Sequence, residues 1–77
     1  MSLRKSLVAK RSVVIGGHKT SISLEDVFWQ QIKNAAAEDN MPVAGLIKQI
    51  DHGRGHRNLS SACRIFVLER ALYKAAN

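Results

Sequence analysis

The stretch His18-Lys19-Thr20-Ser21-Ile22-Ser23-Leu24-Glu25-Asp26 passes from one hydrophobic period to another without a spacer. From Lys19 to Leu24 the residues alternate, placing Lys19, Ser21 and Ser23 on one face and Thr20, Ile22 and Leu24 on the other, as a strand with one buried side requires. At Ser23 the period changes. Ser23 followed by Asp26 approximates a capping box, and Glu25 and Asp26 set negative charge on a first helical turn, where the helix dipole favours it. The stretch therefore reads as a short strand that feeds directly into a helix. A lone strand cannot stay unpaired in so small a chain, and a second copy of the same strand is the obvious partner.

Upstream, the chain is basic. Arg4, Lys5, Lys10, Arg11 and Lys19 all precede Glu25, the first acid, within a total formal charge of +6. The charge favours a polyanionic partner, and its concentration near the strand makes a cationic arm, although basic tails are also common as mere solubilisers. Residues 1–10 show no stable pattern and are expected to form a flexible basic arm, leaving 11–77 as one domain. Ser12-Val13-Val14-Ile15 is a short extended run halted by Gly16-Gly17, which permit a bend or bulge, so the two pieces read as one kinked ribbon. No internal repeat is evident.

Downstream, Leu24, Val27, Phe28, Ile32, Ala35 and Ala36 form a stripe at helical spacing, giving a first helix from about Leu24 to Asp39 with Trp29 at its edge, packed against a neighbouring helix. Asn40 suits a left-handed helix end and Pro42 a new start. Val43, Leu46, Ile47 and Ile50 then mark a second amphipathic helix ending near Asp51 or His52. Asn58 is a good N-cap for a third helix through about Ala75, whose apolar surface is wider than one small core covers and implies burial against a second subunit.

Catalysis finds little support. His52, His56 and Cys63 have a spacing that Gly53 and Gly55 spoil for a metal site, and Gly53-x-Gly55 follows a helix where a dinucleotide loop would follow a strand. Ser60, Ser61, His56 and Glu69 offer no assignable nucleophile, base and orienting group. The reading is a non-enzyme without metal or cofactor. The single cysteine, Cys63, excludes an internal disulfide, suits a reducing cytoplasm, and sits among Ala62, Ile65 and Phe66 as a small buried hydrophobe. No signal peptide or membrane-spanning stretch is apparent.

With Thr20-Ser21-Ile22-Ser23-Leu24 leading into Glu25-Asp26-Val27-Phe28, then Asn40-Met41-Pro42-Val43-Ala44-Gly45-Leu46-Ile47 and Asn58-Leu59-Ser60-Ser61, the chain resembles the ribbon-helix-helix family of DNA-binding proteins, the MetJ/Arc/CopG superfamily, in a bacterial subgroup with an additional C-terminal helix. The resemblance implies a mainly α fold: an intertwined homodimer with an intermolecular two-stranded antiparallel β-ribbon that enters the major groove. Lys19, Ser21 and Ser23 would read bases, with Ser21 and Ser23 also explicable as solvated strand residues and Ser23 as a cap. Phosphates would be held by Lys10 and Arg11 and by the backbone N–H groups of Val43 and Ala44, with Arg4 and Lys5 assisting and Arg54 and Arg57 as a further contact. Pro42, which lacks a hydroxyl and an N–H, departs from the usual Ser or Thr cap and weakens that anchor. The function implied is sequence-specific double-stranded DNA binding, as a cytoplasmic transcriptional repressor. The alternative is an antitoxin or other protein-interaction module, disfavoured because a capped apolar helix stands where a disordered toxin-binding tail is usual.

Overall fold

The computed structural model of the protein describes residues 7–56 and 58–76. Two strands, β1 (Val8–Ile15) and β2 (His18–Glu25), precede three helices, α1 (Asp26–Glu38), α2 (Val43–Gly53) and α3 (Leu59–Ala76). The order is thus a two-stranded hairpin, a pair of helices and a third, C-terminal helix.

A second copy was expected to supply the strand beside β2. In the single chain described here the paired edge of β2 is taken by β1, antiparallel, with Ile15 opposite His18 and Val8 opposite Glu25. The physical reason lies in the turn. Gly16 (φ 57°) and Gly17 (φ 83°) both occupy the left-handed region, the requirement of a two-residue hairpin turn whose twist matches its strands. The glycines therefore reverse the chain where a kink was expected, and the strand starts at Val8, so residues 8–10 belong to the ribbon and not to a free arm. The assignments to Arg4 and Lys5, like that to Arg57, lie outside the described residues.

The ladder also moves the start of α1. Helix and cap were expected at Ser23 and Leu24, but pairing with Lys10 and Ala9 keeps both extended, and the N-cap is Glu25, with no side-chain cap hydrogen bond. The capping box does not form. Instead the Asp26 N–H, first of the helix, donates to the Leu7 carbonyl at 3.2 Å, which carries the ladder one step into the helix.

The other helix ends follow their local chemistry. Asn40 has φ 54°, its N–H donates to Ala37 O at 3.1 Å, and Met41 N–H donates to Ala36 O at 2.9 Å, the double bond of a Schellman ending. Pro42 caps α2 in extended conformation and its carbonyl accepts from Leu46 N–H at 3.1 Å. Asn58 Oδ1 accepts from Ser61 N–H at 2.7 Å and caps α3 as expected.

One apolar cluster joins the inner face of the ribbon to the helices. Ile22 and Leu24 of β2 meet Ile32, Ala35 and Ala36 of α1, Leu46, Ile47 and Ile50 of α2, and Ala62, Cys63 and Val67 of α3. Val13 and Ile15 of β1 pack against it from the strand side. Of the stripe expected on α1, Val27 turns to the surface. Burial pushes the Cys63 thiol up to about 11, so at neutral pH it is a protonated hydrophobe. No described helix is long and apolar enough to cross a membrane.

Ion pairs fasten α3 to the rest. Glu38 of α1 accepts from Lys74 Nζ at 2.8 and 3.0 Å and also from Arg70, while Glu25 accepts from Arg64 Nε at 2.9 Å. Lys74 followed by Arg70 holds the Glu38 carboxyl below its ordinary value of 4.5, and the Arg64 hydrogen bond does the same for Glu25. Both folded pKa values are lowered, so the stabilisation is present above about pH 4.5 and is lost as pH falls through the folded values. Thermal melts at pH 7 and pH 3 should therefore show a lower Tm at the acidic end, and Glu38→Gln should flatten that difference.

Candidate nucleic-acid interface

Alternation along both strands turns one ribbon face outward. From β1 it carries Lys10, Ser12 and Val14, and from β2 Lys19, Ser21 and Ser23. Across the ribbon Lys10 stands opposite Ser23, Ser12 opposite Ser21, and Val14 opposite Lys19. Lys10, Ser12, Lys19 and Ser21 are exposed, whereas Ser23 is half-buried. Two strands about 4.8 Å apart fit a major groove about 12 Å wide. Lysine donates to the guanine acceptors, serine donates or accepts, and Val14, 58% exposed, offers the apolar contact that a thymine methyl group takes.

Glu25, which continues the same alternation at the far end of β2, is held by Arg64. Ser23 carries no helix cap, so its hydroxyl is released from the competing role first assigned to it. Its backbone N–H points away from β1 and donates to Ser60 Oγ at 3.2 Å, which fastens the outer edge of β2 to the start of α3.

Arg11 stands on the opposite face. Its register partner is the buried Ile22, its side chain is only 24% exposed, and the guanidinium ion-pairs with Asp26 and lies 4.9 Å from the centroid of the Trp29 ring. Trp29 thus lies under a strand arginine as well as packing against the apolar cluster that the helices share. The arrangement clamps β1 to the first turn of α1. Arg11→Ala should cost about 1 kcal/mol of stability, from one cation–π contact and one partly exposed ion pair. Its DNA-binding salt slope should stay at the wild-type value, whereas a lost phosphate contact lowers it by about 0.9. Urea titration and a salt series separate the two roles.

The remaining assignments sit on other elements. Val43 and Ala44 occupy the first turn of α2, a turn without acidic residues, and are half-buried. Arg54 pairs with Asp51 at 2.6 Å. The structure thus gathers Lys10, Lys19, Ser21 and Ser23 on one face and places Arg11, Val43 and Ala44 elsewhere.

Ser12 and Val14 were missed as members of this face. A signal was present: Lys10-Arg11-Ser12-Val13-Val14-Ile15 repeats the pattern of Lys19-Thr20-Ser21-Ile22-Ser23-Leu24, with Lys-x-Ser followed by apolar residues at the same alternate positions. A six-residue echo escapes a search for structural repeats, and it acquires meaning only once the two segments are paired.

The family model described as a ribbon-helix-helix domain matches residues 8–71, from the first residue of β1 into α3. No curated protein and no solved structure matches the chain. The matched span covers most of the molecule, and with the hairpin running straight into α1 it identifies the chain as a member of the ribbon-helix-helix family, a DNA-binding regulatory fold.

Proposed function

We propose that this protein binds double-stranded DNA sequence-specifically by laying the outward face of its ribbon in the major groove, and that it represses transcription as a homodimer. The observation that carries the reading is the set Lys10, Ser12, Lys19 and Ser21, four exposed side chains of groove-reading chemistry on one two-stranded face. Lys10 is also assigned a phosphate contact, and the first N–H groups of α2 at Val43 and Ala44 supply the helix-terminal anchor typical of such sites. Arg11 leaves the phosphate set, because its charge is spent on Asp26 and Trp29.

Domains of this family typically act as dimers on DNA. The apolar width of α3 gives a second copy something to cover: Leu68 and Leu72 are 55% and 60% exposed, beside a groove lined by Phe28, Ile65, Val67 and Ala71. The same face favours a second reading, an antitoxin-like module that holds a protein partner. Light scattering on the purified chain tests the homodimer, at twice the chain mass of 8.5 kDa, and co-purification of a small stoichiometric protein partner would favour the second reading.

Fluorescence anisotropy against a duplex selected by the protein from a randomised pool, and against its scrambled counterpart, tests the DNA reading. Preference for the selected duplex, with affinity falling linearly in log salt, is expected. Equal, weak binding to both would sink it.

A further inference from the structure

We propose that Arg64 of α3 masks the Glu25 carboxylate at the end of the reading face, and that this mask lets the face approach the phosphates that line a DNA groove. The inference rests on the DNA-binding reading and gives the third helix a part in it. Its basis is a charge of the wrong sign. Lys19, Ser21, Ser23 and Glu25 are alternate residues of β2, so the strand period that turns Lys19 and Ser21 outward carries Glu25 to the margin of the same face. A carboxylate is unfavourable there, because a groove about 12 Å wide is walled on both sides by phosphates.

Two local remedies do not operate. Glu25 is the N-cap of α1, yet its side chain makes no cap hydrogen bond, so the first N–H groups of the helix do not engage the carboxylate. Protonation does not remove the charge at neutral pH either, since the Arg64 hydrogen bond holds the carboxyl below its ordinary value. Neutralisation comes instead from a residue 39 positions away, where Arg64 Nε donates to Glu25 Oε1 at 2.9 Å. Ser60, one turn before Arg64 on α3, accepts the Ser23 N–H at 3.2 Å, which fixes α3 against the end of β2 where the guanidinium is needed. Neither contact involves β1 or the turn before β2. The pair lies at the surface, Arg64 35% and Glu25 29% exposed, within reach of the field of a bound polyanion.

A unit charge about 8 Å from a phosphate, one Debye length at physiological salt, changes affinity roughly 2-fold at the dielectric constant of water and roughly 30-fold at the effective value near a protein surface. Anisotropy titrations of the full chain at fixed salt, with urea midpoints on the same samples, test the mask. Arg64→Gln should weaken binding within that range, alike on the selected and the scrambled duplex, because phosphates carry no sequence information. Adding Glu25→Gln should return affinity to the wild-type value while the urea midpoint stays where Arg64→Gln left it, since both variants lack the ion pair. Adding Glu69→Gln instead, which gives the same net charge from an exposed position on α3, should restore nothing. Glu25→Gln alone, which keeps Arg64, should bind both duplexes more tightly than wild type and needs no Arg64 variant to fold. Wild-type affinity in Arg64→Gln overturns the proposal, as does equal or weaker binding by Glu25→Gln. An Arg64→Gln/Glu25→Gln chain as weak as Arg64→Gln also overturns it and makes Arg64 a phosphate contact or a brace of the fold. Equal rescue by Glu69→Gln overturns it in favour of net charge alone. In each of these cases the wild-type chain still binds and DNA reading by the ribbon stands, whereas no binding of any duplex by the wild-type chain overturns the DNA reading and the mask with it.

Discussion

Ile47→Ala is expected to bring the folded chain close to its stability limit. Ile47 is fully buried on α2, in the apolar cluster that ties the ribbon to all three helices. Truncating a buried isoleucine to alanine costs about 2–5 kcal/mol, transfer loss and cavity together. A domain of this size holds roughly 4–12 kcal/mol in total at the usual stability per residue. The loss is thus a large share of the whole. In urea, with a slope on the order of 1 kcal/mol per molar, the midpoint should fall by about 2 M or more, whereas Ile47→Val should fall by less than about 1.5 M. A midpoint equal to wild type would mean that the cluster does not hold the fold.

Lys19→Ala is expected to have the largest effect on recognition. Lys19 is exposed on the ribbon face and stands opposite Val14. Losing a lysine contact to guanine removes about 1–3 kcal/mol of discrimination, roughly 5- to 150-fold on a selected duplex, while binding to scrambled DNA falls only by the share of one charge. Lys19→Arg should restore most of the affinity, because both side chains donate to guanine O6 and N7. Circular dichroism should stay at the wild-type spectrum, since the position is outside the core. Equal losses on both duplexes would reassign Lys19 from base reading to phosphate binding.

The helices were legible because their signals are local. Asn40 and Asn58 each acted on the nearest turn of backbone, and the spacing of Leu46, Ile47 and Ile50 determined which face of α2 turned inward. Cys63 was readable as a buried hydrophobe from its neighbours alone. The start of α1 was misread, since a capping box competes with a strand ladder and the ladder partner, Lys10 opposite Ser23, is distant in the chain. Arg11 was only partly legible for a related reason. Charge and position suggest a phosphate contact, and only the packed structure reveals Asp26 and Trp29 beneath it.

The sequence by itself determined that Lys19, Ser21 and Ser23 share a face, because side chains alternate along any strand, and that the chain runs from that strand into helices of defined ends. Tertiary structure decided which strand lies beside β2. Pairing is chosen by closure of the Gly16-Gly17 turn, by the fit of Val13 and Ile15 to a core built from four other elements, and by the clamp of Arg11 on α1. Those contacts join residues distant in sequence, and their combined energy appears only when the chain is folded.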